Sequence, residues 1–360
     1  MNNWLLYCDV KPKIRLVRGT YETLVPFRDN SNQDKPLEQI STPPVRAADQ
    51  LVAQGVDQQK AGNLEVAVEL FKNALRIYIE QQNQRKVGKV LRYLGLTLYA
   101  LGDFSQSIEY ATRSLTVARE INDLRLEGQM LDLLGNSHRH LGDNMRAIER
   151  GQQSLTIMRH IQDQAGEVAA LNNLGLAYKA MGDLPSAIAY QQESLSIAQI
   201  NNDVQSTEQI LKNIGNAFYA MGDYPQAIEY YQQRLAIARD WGEHRLETQI
   251  LRNLSNACYA LGDYTQAIEH GRARLETARK LSDQRLEEQA LGCLGVAYDA
   301  LGDYTQAIQY YEQRLQVARS IPDSRVEKQA LNSLTIACYA LGDYTKVMEY
   351  HQQGLAMRDR

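Results

Sequence analysis

The residues whose type and spacing could do chemistry are asparagines. Asn173, Asn213 and Asn253 fall 40 residues apart, and Asn136, Asn216 and Asn256 occupy the position three residues further along the same register. Asn172 adjoins the first of them. A carboxamide donates and accepts at once, so a row of them can pair with the backbone of an extended peptide. Asparagine is a mediocre helix former, and repeating it on exposed helix interiors suggests a task. Beside it lie Lys89, Arg92, Arg139, Lys179, Lys212 and Arg252, against Asp132 and Asp299. The stretch is basic although the chain carries a net charge of −4, and cationic side chains steer and pair with acidic segments. Tyr219 and Tyr259, with Tyr99 and Tyr339, recur in a neighbouring column and offer flat contacts of low entropy cost. The competing reading is a solvated face, because near-copies of a repeat reproduce any residue, used or not.

Other chemistries find little support. His138 and His140 are two apart and cannot share a helix face. Cys8, Cys258, Cys293 and Cys338 have neither metal-ligand nor disulfide spacing. Cys258 and Cys338 fill an apolar column occupied elsewhere by Phe218 and Tyr298, which reads as small core residues in a reducing compartment. There is no phosphate-binding Gly-Lys loop and no nucleophile elbow. Tyr230-Tyr231 and Tyr310-Tyr311 read as packing between helices rather than stacking platforms. The expectation is a non-enzyme with no cofactor and no metal. A sequence pI near 5.9 leaves no overall basic field for nucleic acid. Trp4 to Tyr7 is too short to span a membrane and lacks signal-peptide order, so a cytoplasmic chain without membrane insertion is expected.

What must position these residues is a repeat. Ala260 to Ile268 recurs unchanged as Ala300 to Ile308, and Gly62, Gly102, Gly142, Gly182, Gly222, Gly262, Gly302 and Gly342 stand 40 residues apart. Such a period means a solenoid. In the copy around Gly222, Leu211, Ile214, Gly215, Ala217 and Phe218 have helical spacing, and Gly222 sits just past that helix where positive φ is needed. Asp223 with Gln226 predicts a capping box opening a second helix, as do Asp103 with Gln106, Asp263 with Gln266 and Asp303 with Gln306. Asp123, Asp163, Asp203, Asp283 and Asp323 mark the next start. Each unit is predicted to be two antiparallel helices of about four turns. The leucine columns Leu91 to Leu331 and Leu75 to Leu355 form stripes that only stacked neighbours can bury. Gly95, Gly135, Gly175, Gly215, Ser255 and Gly295, facing Ala147, Ala187, Ala227, Ala267 and Ala307, predict close helix crossings. Arg234, Arg274 and Arg314, with Arg239, Arg279 and Arg319, should pair with neighbouring glutamates at the surface.

The Leu-Gly, Ala-Tyr, Gly-Asp-Tyr and Ala-Ile sequence on paired helices resembles the tetratricopeptide repeat. With its 40-residue unit, its Arg234 to Arg239 run and its Asp283 to Glu287 start, it is similar to repeats of the LGN/Pins cell-polarity adaptors and to long bacterial and cyanobacterial arrays. The resemblance implies an all-α, right-handed superhelical solenoid of about eight hairpins over residues 46–360, with 1–45 as a tail or linker, possibly a short hairpin around Gly19. It implies that first helices line a concave groove. The asparagines then resemble the ladder with which LGN/Pins and kinesin light chain repeats hold a peptide, while Cys293, Val296, Ser333 and Ile336 depart from it. The implied function is an adaptor holding an acidic peptide or loop of another protein. The alternatives are an assembly or chaperone-like scaffold gripping a folded partner and, behind it, a sensor of a small peptide or ligand. Trp4 to Tyr7 could dock on the array, and Met348, Leu355 and Met357 could leave the last hairpin partly exposed for self-association.

Overall fold

The computed structural model describes residues 43–356. The expected hairpin around Gly19, the docking of Trp4 to Tyr7 and the exposure of Met357 lie outside the described residues. Within them are sixteen α-helices and no strand. The order is α1 (Pro43–Lys60), α2 (Leu64–Glu80), α3 (Gln84–Ala100), α4 (Phe104–Glu120), α5 (Leu124–His140), α6 (Asn144–His160), α7 (Gln164–Met181) and α8 (Leu184–Ile200). It continues with α9 (Val204–Met221), α10 (Tyr224–Asp240), α11 (His244–Leu261), α12 (Tyr264–Lys280), α13 (Gln284–Leu301), α14 (Tyr304–Ser320), α15 (Ser324–Leu341) and α16 (Tyr344–Ala356). They form an all-α solenoid of eight antiparallel pairs. Two compact units divide within α7, the first ending at Ala169 and the second beginning at Ala170.

Most helices run 17 or 18 residues, nearer five turns than the four expected. α1 starts at Pro43, earlier than residue 46, because a proline in the first turn gives up only an amide that no helical carbonyl would accept. Within the hairpins after the first, whose Asn63 makes no side-chain cap bond, the turn follows one scheme. Gly222 takes φ 82° as the C-cap of α9, and the Asp223 carboxylate accepts from Gln226 N at 3.2 Å at the start of α10. Only this half of the predicted capping box forms. The Asp223 amide already donates to Phe218 O at 3.0 Å, closing the preceding helix, so the glutamine side chain has no donor to receive.

Connectors between hairpins use left-handed φ without glycine at Gln82, Asn122, Gln162, Asn202 and Ser282. Pro322 occupies that column in the last connector. Its ring forbids positive φ, and Ile321 turns extended instead, with φ −93° and ψ 130°.

In the first unit Leu91 and Leu131 are buried against Leu94, Phe71 and Leu134. In the second, Leu211, Leu251, Leu291 and Leu331 are buried in the same column. The other leucine column is buried from Leu75 to Leu315, whereas Leu355 on α16 is 43% exposed. The small residues let helices cross closely: a Cβ on Gly135 would lie 3.1 Å from Ala147 O, and Ser255 Oγ donates to Ala267 O at 2.9 Å. Gly215 makes room for Tyr231, and Gly295 for Tyr311. Tyr230 stacks on Phe218 and Tyr310 on Tyr298, so these tyrosine pairs are packing. Cys258 and Cys338 are buried, and burial pushes the Cys258 thiol up to about 11.

Candidate partner-binding face

The candidate residues sit on first helices, most of them three, four or seven residues apart along one side of each helix. Most of the stripe is half-exposed or exposed, but Asn136, Asn172 and Asn213 within it are buried.

In the first unit the stripe is largely tied to its own neighbours. Lys89 on α3 is exposed, and Arg92 lays its guanidinium over the Tyr93 ring at 5.0 Å. Asn136 on α5 is only 4% exposed, and its Nδ2 donates to Asp132 O at 3.3 Å. Arg139 Nη2 donates to His140 Nε2 at 3.0 Å, an atom that also lies 2.9 Å from the Tyr99 hydroxyl. His140 stacks flat on Phe104 at 4.4 Å. These histidines are structural: desolvation lowers the His138 pKa, favouring the neutral ring.

The second unit presents a different surface. Asn172 and Asn213 are buried together, with Asn213 Nδ2 donating to Asn172 Oδ1 at 3.0 Å. Asn216 is half-exposed, and its Oδ1 accepts from the buried Tyr231 hydroxyl at 2.8 Å. That bond fixes the amide so that its NH2 remains a donor. Asn173, Asn253 and Asn256 are half-exposed on α7 and α11. Lys179 and Lys212 are half-buried and interact repulsively, and Arg252 is exposed. Burial first, and the neighbouring Lys212 charge second, hold the Lys179 ammonium below the usual lysine range. No carboxylate among the described residues pairs with either lysine. Tyr219 and Tyr259 stand half-exposed, packed against Tyr224 and Tyr264 at 5.4 and 5.3 Å.

Along the same stripe on α13 and α15 the amides give way to Val296 and Ile336, 43% and 39% exposed, with Tyr339 at 65%. Asp299 stands among them, and burial raises its carboxyl above the ordinary range.

Behind the stripe lies a feature that residue-by-residue reading missed. Arg234 and Arg314 are not surface pairs. Arg234 Nε donates to Glu208 Oε1 at 2.6 Å with both side chains almost fully buried, and Arg314 binds Glu288 likewise. Arg239, Arg279 and Arg319 do form the expected exposed pairs, with Glu247, Glu287 and Glu327. The signal available in sequence was a paired exchange: Glu208 and Glu288 stand where Gly88 and Gly128 do, and Arg234 and Arg314 where Ser114 and Ser154 do.

Among the described residues no cluster of three or more His, Cys, Asp or Glu could hold a metal, and no helix is long and apolar enough to cross a membrane. The family description "Tetratricopeptide repeat" matches residues 51–120, 126–200, 206–280 and 286–360. A comparison with curated proteins found no match. Among solved structures the chain is similar to a signal transduction ATPase with a tetratricopeptide repeat sensor from Pyrococcus horikoshii, at 16% identity and TM-score 0.62. That match covers 89% of this chain and 54% of the ATPase, so the chain spans about half its length. The apo form of RapI matches at 14% identity and TM-score 0.59, over 87% of this chain and 97% of RapI. The C-terminal part of a repeat protein from Cytophaga hutchinsonii matches at 16% identity and TM-score 0.57, over 74% and 94%. At these identities the likeness concerns the fold.

Proposed function

We propose, starting from a chain that belongs to the tetratricopeptide repeat family, that it is a non-enzymatic protein-binding adaptor whose second unit holds an acidic segment of another protein on its first-helix face. The observation that carries this reading is the pair Lys179 and Lys212. Burial of Lys179, and the Lys212 charge beside it, make the charged Lys179 ammonium costly in the free protein. A carboxylate seated between them relieves that cost, with charge-assisted hydrogen bonds as the gain. Asn216 and Asn256 supply carboxamides for the backbone of the segment, Arg252 a further charge, and Tyr219 and Tyr259 flat walls. The test is hydrogen exchange on the full chain with and without a partner captured from native lysate. Protection confined to the stripe of α9 and α11, lost with Lys179→Glu and Lys212→Glu, supports the reading; unchanged capture by that variant overturns it.

A second reading rests on a separate observation. At the turns of the second unit, Met181, Met221, Leu261, Leu301 and Leu341 are each about half exposed, an apolar row outside the stripe. A folded partner gripped along that edge would protect the turns rather than the stripe, which the same exchange experiment distinguishes.

A further inference from the structure

The stripe of the second unit changes character along its length, and the change specifies the ligand more closely than acidity does. Lys179, Lys212 and Arg252, on α7, α9 and α11, are cationic and accompanied by carboxamides. On α13 and α15 the column of Lys212 and Arg252 continues as Gly292 and Asn332, with no cation, and the columns beside it offer Val296, Ile336 and Tyr339, all exposed. Asp299 adds a half-buried carboxyl beside them that repels a second carboxylate. Exposed Val, Ile and Tyr recurring on one helix face are the composition of a contact surface rather than of a solvated one. The stripe is therefore a charged half followed by an apolar half, in one fixed order.

We infer that the segment held here is bipartite: a carboxylate cluster seated on Lys179, Lys212 and Arg252, followed by apolar side chains seated on Val296, Ile336 and Tyr339, with no acid in the apolar half. This rests on the reading of the face as a segment-binding surface. The spacing follows from geometry. Neighbouring first helices stand about 10 Å apart, and an extended chain rises about 3.3 Å per residue, so one repeat matches about three ligand residues. Lys179 on α7 and Ile336 on α15 are four repeats apart, which sets the segment at about twelve residues. Within it, the apolar anchors stand about three residues apart and begin three to four residues beyond the last carboxylate.

The experiment uses the full chain and fluorescent peptides of about twelve residues. One peptide has three aspartates at one end and a leucine and a phenylalanine at the other. A second reverses it, and a third interleaves the same residues. Binding is read by anisotropy. The expected result is that one of the two bipartite peptides binds at least about ten-fold more tightly than the interleaved one. That advantage disappears in Ile336→Asp with Val296→Asp, both solvent-facing changes whose folding is checked by circular dichroism. Equal binding of the interleaved and bipartite peptides overturns the bipartite inference while leaving the acidic face intact, provided that Lys212→Glu with Arg252→Glu still weakens binding. If no peptide binds, or binding survives Lys212→Glu with Arg252→Glu, both the inference and the underlying reading are overturned.

Discussion

The two units solve one packing problem in two ways. Where the start of a first helix meets the end of its second helix, the first unit places a glycine opposite a serine: Ser114 Oγ donates to Gly88 O, and Ser154 Oγ to Gly128 O, each at 2.9 Å. Two hairpins of the second unit place glutamate opposite arginine, Glu208 with Arg234 and Glu288 with Arg314, at the same separation of 26 residues. The first solution brings backbones close and hides one neutral hydrogen bond. The second inserts an ion pair that is favourable only while both members are present. The solvent-facing stripes diverge too. In the first unit Asn136 and Arg139 are bonded to their own neighbours, whereas in the second Lys179 and Lys212 face one another without a carboxylate. A repeat can thus keep its backbone constant while each unit sets its own interior chemistry and its own surface.

The sharpest way to break the comparison is to remove one member of a buried pair. Glu208→Ala strands the Arg234 guanidinium and should cost about 3–5 kcal/mol in chemical denaturation. Converting the junction to the other solution, Glu208→Gly with Arg234→Ser, should recover at least half of that loss, since only a neutral hydrogen bond is then at stake. In the first unit, Ser154→Ala removes one neutral bond and should cost about 1 kcal/mol. The exposed pairs should barely distinguish the units: Arg159→Ala and Arg279→Ala, which lose Glu167 and Glu287, should each cost at most about 1 kcal/mol.

The smallest effect is one of pH. Because the folded Lys179 pKa lies below its ordinary 10.5, the unfolded chain binds more protons between the two values. Stability from this group therefore rises with pH across that window, and Lys179→Gln should flatten the slope of urea midpoint against pH.

The fold was legible because its signals repeat. Eight glycines in one register, an aspartate after all but the first, and leucine columns say the same thing in copy after copy. The missed details were those that depend on a neighbour's use of a group. The capping glutamines fail to close the box because the aspartate amide is already bonded to the preceding helix. Pro322 reshapes its connector because it replaces a residue that elsewhere takes a left-handed φ. The face was legible as a column but not in its bonding. Nothing in the column says that Asn172 and Asn213 bury themselves against each other while Asn216 is oriented by Tyr231 from behind. The Glu–Arg exchange was readable only by comparing two columns at once.

The most direct measurement is a matched charge reversal in both units, read with the labelled acidic peptide on the full chain. Lys179→Glu with Lys212→Glu is compared with Lys89→Glu with Arg92→Glu, at one salt concentration. The account predicts that the reversal in the second unit weakens binding at least about ten-fold, and that the one in the first unit changes it by no more than about two-fold. Equal losses from both reversals, or a larger loss from the first unit, would contradict it.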